Sequence, residues 1–312
     1  MRRKPGASLL AVVLVMAGSA VAQTPASKGA VNGSTTVGEV VVTARKSPIP
    51  AKQLPAVVWK DVIVRAQPAH TGNLSRWRKA VCPGVFGLTP AYASFVAKRI
   101  TEVTRDFTPP RPVCRRSINL MVVFTTTPQA VMDDVRDYYP VLLGYHYLTE
   151  EKKLATFQGP LEAWYVTATN GVLDDPYGPR LGVSATGRLR NGAADEFWFV
   201  LVVVDATAIE DQPVGAVADH IAAVALSKTG IREGCSPLPS ILDALDPACR
   251  DSTSAQTLTA YDRSLLKALY ATDPEQVGQA ERGSIALHVL RDLKAKPEMP
   301  RARPVASTSP PP

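Results

Sequence analysis

Hydrophobic and polar positions are most sharply organised between residues 197 and 231. The run Phe197, Trp198, Phe199, Val200, Leu201, Val202, Val203, Val204 is aromatic and aliphatic throughout and predicts a buried strand. A polar connection follows over 205–212, and Pro213 suits the first turn of a helix. Beyond it Val214, Val217, Ile221, Val224 and Ala225 recur at helical spacing with Ala218 and Ala222 beside them, so one narrow face can lie close against a sheet. Gly230 is expected to end this helix.

The same reading extends along the chain. Residues 56–64 read as a first strand or an apolar lead-in. Trp77, between Arg76 and Arg78, reads as a lid over the core. Thr89-Pro90 is a cap followed by proline at the first helical position, and Tyr92, Phe95, Val96, Ile100, Val103 and Phe107 keep the helical period until Pro109-Pro110. Residues 117–125 predict a strand buried on both faces. Thr127-Pro128 opens a further helix through Ala130, Val131, Val135 and Tyr138, and 162–166 predicts the next strand. Asn170-Gly171 and Asn191-Gly192 are hairpin-type turns that bracket 181–189, so strands near 162–168, 181–189 and 196–205 are expected to form an antiparallel meander. Helices are expected over 239–245, 259–270 and 274–293, the last capped by Asp273 with Pro274 and Glu275 in its first turn. The fold class is therefore α/β (α+β): a mixed sheet containing a meander, packed helices and a helical C-terminal part.

Composition places this body in a compartment. Arg2, Arg3 and Lys4 precede a short apolar segment and Ala20-Val21-Ala22, the pattern of a signal peptide over 1–22 cleaved after Ala22. A flexible leader is expected over 23–52, a single domain over 53–293 and a disordered Pro-rich tail over 294–312. The net charge is +7. Losing the three basic residues of the signal reduces it to +4, and leader and tail each carry +3, so the body is left at −2. A net basic excess confined to the flexible ends argues against nucleic-acid binding. The N-terminal apolar run is too short to serve as a stable membrane anchor. The expected location is the periplasm or the medium.

Four cysteines in an exported chain predict two disulfides. Three pairings are open; Cys82 with Cys114 and Cys235 with Cys249 close the smaller loops. No Cys-x-x-Cys pair is present, which argues against a zinc site built from them.

The segment 37–46, with Glu39, Val40, Val41, Val42 and Thr43 before Ala44-Arg45-Lys46, resembles the TonB box of TonB-dependent outer-membrane receptors. The resemblance implies an extended peptide that adds as a strand to a partner's sheet. The same residues also fit an apolar linker or an edge strand of this chain's own domain.

Two further segments resemble the zincin-like fold of metzincin type. Residues 217–226 lie along the zinc-binding helix His-Glu-x-x-His-x-x-Gly-x-x-His. Residues 258–270, containing Tyr261-Asp262-Arg263 and Leu265-Leu266, are similar to a segment that follows the metal site in bacterial zincin-like exported proteins of unknown function. Carried over residue by residue, His220 alone keeps a ligand type; Ile221 stands for the catalytic glutamate, Val224 for the second histidine and Gly230 for the third ligand. Isoleucine can neither hold zinc nor move a proton, so no metal, cofactor or catalytic residue is expected, and His220 reads as a structural histidine. No nucleophile elbow or phosphate loop is present. The acidic pairs Asp174-Asp175, Asp195-Glu196 and Glu210-Asp211 read as solvated turns. The expectation is a non-catalytic exported protein acting by binding an envelope protein or peptide. The alternatives are a hydrolase with an unrecognised carboxylate or Asp219/His220 site, or a module engaging TonB through 37–46.

Overall fold

The computed structural model describes residues 49–69, 71–109, 114, 117–144, 148–171, 193–230, 234–249 and 255–295. The chain divides into the units Met1–Val41 and Val42–Pro312, and every described residue lies in the second. The expected signal peptide, the segment 37–46 and the tail beyond 295 lie outside the described residues.

A four-stranded sheet holds the body together in the order β1-β2-β4-β3. β1 (Pro83–Phe86), β2 (Leu120–Thr125) and β4 (Ala193–Asp205) run parallel, and β3 (Leu161–Gly171) is antiparallel to β4 at the edge. Side chains alternate across a strand, so each face of β2 and β4 meets a different layer. Leu120, Val122, Phe124, Val200, Val202 and Val204 bury one face with α2 (Pro90–Thr104) and α5 (Val214–Leu226). Leu201 and Val203 bury the other with Met132 and Val135 of α3 (Pro128–Tyr138), Leu143 of a 3-10 turn at Pro140–Leu143, and Trp164. The short α4 (Leu148–Leu154) ends where Trp164 Nε1 donates to the Leu154 carbonyl at 2.6 Å.

A second apolar cluster joins α1 (Leu54–Arg65), α6 (Ala260–Ala271) and α7 (Gly278–Ala295) through Val58, Val62, Leu265, Leu269, Ile285 and Val289. It is latched to the rest by a buried pair, Arg76 with Glu281. Arg76 also donates to the Thr272 carbonyl at 2.6 Å, and Glu281 accepts from Leu74 N at 3.0 Å. Burial pulls the Arg76 guanidinium down to about 10. Disulfides join Cys82 to Cys114 and Cys235 to Cys249, the two that close the smaller loops.

Several expectations change. Residues 56–64 are helical, because Val58, Asp61, Val62 and Arg65 at helical spacing all face inward. Two of those positions are charged, which hides the period from a reading of apolar residues alone. β3 and β4 pair directly from Leu161↔Val204 to Gly171↔Ala193, so they are neighbours in the sheet and no meander strand stands between them there. Residues 181–189 lie outside the described residues. The 239–245 helix reduces to a 3-10 turn at Ile241–Asp243. α7 starts at Gly278 rather than 274 because Asp273 accepts from Glu275 N at 3.0 Å in a turn of its own. The close approach of the Gly72 carbonyl to Gly278 leaves no room there for a Cβ. Trp77 is buried: its Nε1 donates to Ala225 O at 2.7 Å and its ring packs on Phe197 at 5.6 Å.

Candidate functional site

The helix that follows β4 is enclosed on every side. Residues Ala216 to Leu226 are all buried, and the last carbonyls of α5, which have no partner within the helix, are taken by aromatic donors. Tyr165 donates to Val224 O at 2.9 Å, Trp77 to Ala225 O and Tyr270 to Leu226 O at 3.1 Å. This satisfaction ends the helix at Leu226, four residues before Gly230.

Asp219 and His220 are neighbours in sequence but turn to different surroundings, as successive residues of a helix must. Asp219 is fully buried and binds Arg99 of α2 in a two-pronged pair, Nε to Oδ1 at 2.5 Å and Nη2 to Oδ2 at 2.9 Å. It also accepts from Leu258 N at 3.0 Å. The carboxylate thus ties α2 and the start of α6 to α5, and it is not aimed at His220. His220 Nδ1 lies 3.1 Å from the Ile241 carbonyl; a carbonyl only accepts, so Nδ1 carries the proton and Nε2 the lone pair. Burial holds the imidazole down at about 4, so it is neutral at pH 7; the Ile241 carbonyl and Asp262 oppose this and Arg65 adds to it.

His220 lines a cleft of about 440 Å³. One wall is the edge of the sheet, Gln158 to Ala163 with Tyr165; the other is α5 with Val224, Thr229 and Gly230, and the 3-10 segment with Leu242, Asp243, Leu245 and Asp246. Val64 and Arg65 contribute from the end of α1. Glu162 accepts from Gln158 N at 2.8 Å, and burial pushes its carboxyl up to about 7.

Next to the cleft is a buried charged layer. Arg65 and Asp262 are 1 % and 0 % exposed and meet at 2.7 Å. The two oxygens of Asp262 accept from Ser240 Oγ at 2.8 Å, Ile241 N at 2.9 Å, and Thr259 N and Oγ1, each at 2.9 Å. The Thr259 contacts form the capping box of α6, completed by Asp262 N donating to Thr259 Oγ1 at 3.0 Å. Tyr261 donates to Asp61, and Ser236 Oγ reaches the same carboxylate at 3.4 Å. Burial lowers the Arg65 pKa, but Asp262, Tyr261 and Asp61 more than offset that, leaving it raised.

Of the residues singled out in the sequence, His220 stands in the cleft, the four cysteines are bridged, and Glu39, Val40, Val41, Val42 and Thr43 lie outside the described residues. Asp195 and Glu196 are not a solvated turn. They are 1 % and 7 % exposed within β4, and Asp195 accepts from Thr71 and from Thr169 Oγ1 at 2.6 Å. Glu210 and Asp211 are exposed in a turn, and Asp174-Asp175 lies outside the described residues. No group of three His, Cys, Asp or Glu side chains among the described residues is arranged to hold a metal ion. Sequence reasoning missed Arg65, Asp61 and Glu162. The first two left a trace in the spacing of α1; Glu162 left none.

Comparison with protein families, with curated proteins and with solved structures returns no match to this chain.

Proposed function

We propose that this is an exported, non-catalytic protein with a degenerate zincin-like body, and that it works by binding a peptide or a segment of an envelope protein in the cleft between β3 and α5. The observation that carries the reading is the make-up of the α5 wall. From α5 the cleft receives His220 and Val224, Ile221 at the expected glutamate position is turned into the core, and the imidazole is already engaged by the Ile241 carbonyl. A hydrolytic zinc centre requires three ligands and a base, and these aliphatic groups supply neither. A cleft of about 440 Å³ lined by apolar residues interleaved with polar and charged ones is of ordinary size for a ligand site. The two disulfides, with no described helix long and apolar enough to cross a membrane, are compatible with life outside the cytoplasm.

The test is direct. Purified full-length protein is expected to hold substoichiometric zinc, to leave casein and fluorogenic peptides intact, and to retain members of a random decapeptide pool; Gln158→Trp, at the mouth of the cleft, reduces that retention. Stoichiometric metal, or turnover abolished by His220→Ala, overturns the reading. A second reading, a metal-independent hydrolase, draws on Glu162, whose carboxyl titrates near 7 as a general acid or base requires. It predicts turnover in the same assay that Glu162→Gln removes.

A further inference from the structure

The reading of the cleft as a binding site can be taken one step further, to the charge of what enters it. Among the described residues Arg65 is the one cation on its lining, and that guanidinium is already occupied: it is 1 % exposed and Nη1 meets Asp262 at 2.7 Å. The acids are not balanced in the same way. Asp61 and Asp262 both stand against Arg65, and Glu162, Asp243 and Asp246 line the cleft besides. Glu162 is half-buried, accepts from Gln158 N at 2.8 Å and forms no ion pair among the described residues. Burial raises its pKa with no neighbouring cation to hold it down. Asp246, also half-buried, accepts from Ala248 N at 2.9 Å. A cleft with this lining has a negative field, and partial exclusion of water strengthens it.

His220 is a second, independent feature that asks for the same kind of ligand. It is 8 % exposed and lines the cleft; with Nδ1 donating to Ile241, Nε2 is a lone-pair acceptor that has no partner among the described residues. An acceptor so nearly buried is costly to leave unmade. The imidazole and the carboxylates thus present acceptors on both walls, and a group that suits them brings N–H donors and no acceptor of its own. Among side chains Lys and Arg meet that condition, and they also bring the positive charge. Their long apolar stems suit the rest of the lining, where Leu161, Val224 and Leu242 are half-buried or buried. An anion would be repelled, and a neutral carboxamide would turn its oxygen towards carboxylates.

We propose that the cleft takes a basic side chain, Lys or Arg, of the bound peptide, with Glu162 as its counter-ion and His220 Nε2 as a neutral acceptor on the opposite wall. This rests on the cleft reading above, and the experiment separates the two. The probes are four capped tripeptides, acetyl-Ala-Lys-Ala N-methylamide and its Arg, norleucine and Glu counterparts, titrated calorimetrically into the full chain at about pH 8, where Glu162 is ionised. The tighter of the Lys and Arg peptides is expected to bind about tenfold or more tightly than the norleucine peptide, which keeps the apolar stem and lacks the charge, and the Glu peptide is expected to bind most weakly. The whole chain carries +7, so attraction by overall charge would give the reverse order. Glu162→Gln removes a charge that burial disfavours, so it is expected to fold and to reduce the preference for the basic peptide. Should it not fold, salt decides on the wild type: the preference shrinks between about 0.05 and about 0.5 M NaCl while norleucine binding does not weaken. Equal binding of basic and norleucine peptides, tighter binding of the Glu peptide, or a basic preference undiminished in Glu162→Gln or, failing that variant, by salt overturns the cation site and leaves the cleft reading standing. Silence from all four peptides while the decapeptide pool still binds has the same meaning; silence from the pool as well removes both.

Discussion

The two buried surroundings of α5 are made of opposite materials. Towards the sheet, Val217, Ala218, Ile221, Ala222 and Ala225 pack on Val200, Val202 and Val204, aliphatic against aliphatic. Towards α1 and α6, the neighbouring layer holds Asp61, Arg65, Asp262 and His220, each of them buried. The apolar side is stabilised by area removed from water, so damage to it scales with the volume lost. The charged side holds only as a set: Asp262 at once caps α6, pins the 3-10 turn and faces Arg65, so removing one member strands the others. The apolar face makes the body compact, and the charged layer fixes which helix meets which.

The largest effect expected from breaking this contrast is Asp262→Ala. Leaving Arg65 buried without its counter-ion is expected to cost about 4 kcal/mol, read as the unfolding free energy in urea at pH 7. The double change Arg65→Met with Asp262→Leu should recover the part of that loss that comes from the stranded guanidinium, while Ile241 N, Thr259 N and Ser240 Oγ stay without their acceptor. A deficit as large as that of the single variant would deny the coupling. On the apolar side Ile221→Ala is expected to cost about 3 kcal/mol and Ile221→Val about 1, graded with the methyl groups removed. Equal costs for both would mean that the α5 face is not tightly packed.

A further effect is titratable. His220 is held at about 4, below its ordinary value, so the unfolded chain binds a proton that the folded chain refuses between about pH 6.5 and 4. Its contribution is complete above that window and is lost as pH falls through it, by about 2 to 3 kcal/mol between pH 7 and 4.5. The charged groups around it are Arg65 from α1, Asp262 from α6, Asp243 and Asp246 from the 3-10 segment, and Glu162 across the cleft. Glu162, raised to about 7, works in the opposite sense: burial disfavours its charge, so stability declines as pH rises from about 4.5 to 7. Urea midpoints across this range should therefore lose their acid-side slope in His220→Gln and their slope of opposite sign in Glu162→Gln. An unchanged profile in His220→Gln would show that the imidazole is not kept neutral by its surroundings.

Legibility in the sequence followed the range of the interaction. The β4 core strand, the apolar period of α5, the Thr-Pro starts of α2 and α3 and the Thr259–Asp262 cap are set by residues within a turn or two of one another. Arg65 to Asp262 spans almost the whole body, and no local pattern marks one as the other's partner. Asp195 looked like a turn residue because local propensity favours that; Thr71 and Thr169, distant in sequence, draw it inside. Of the candidate site, the isolated histidine was legible, and so was the aliphatic company it keeps. The cleft around it was not.

The sequence by itself determined a mixed α/β body, the helix that follows its most apolar strand, and the absence from that helix of a full zinc-binding set, because residue identity and periodicity along the chain carry all three. Only the tertiary structure decided that β3 pairs directly with β4, that Asp219 serves Arg99 rather than His220, and that Arg65 comes to lie against Asp262 beside the cleft. Those outcomes depend on segments distant in sequence burying shared surface, and solvent exclusion assigns each polar group whichever partner that packing brings within reach.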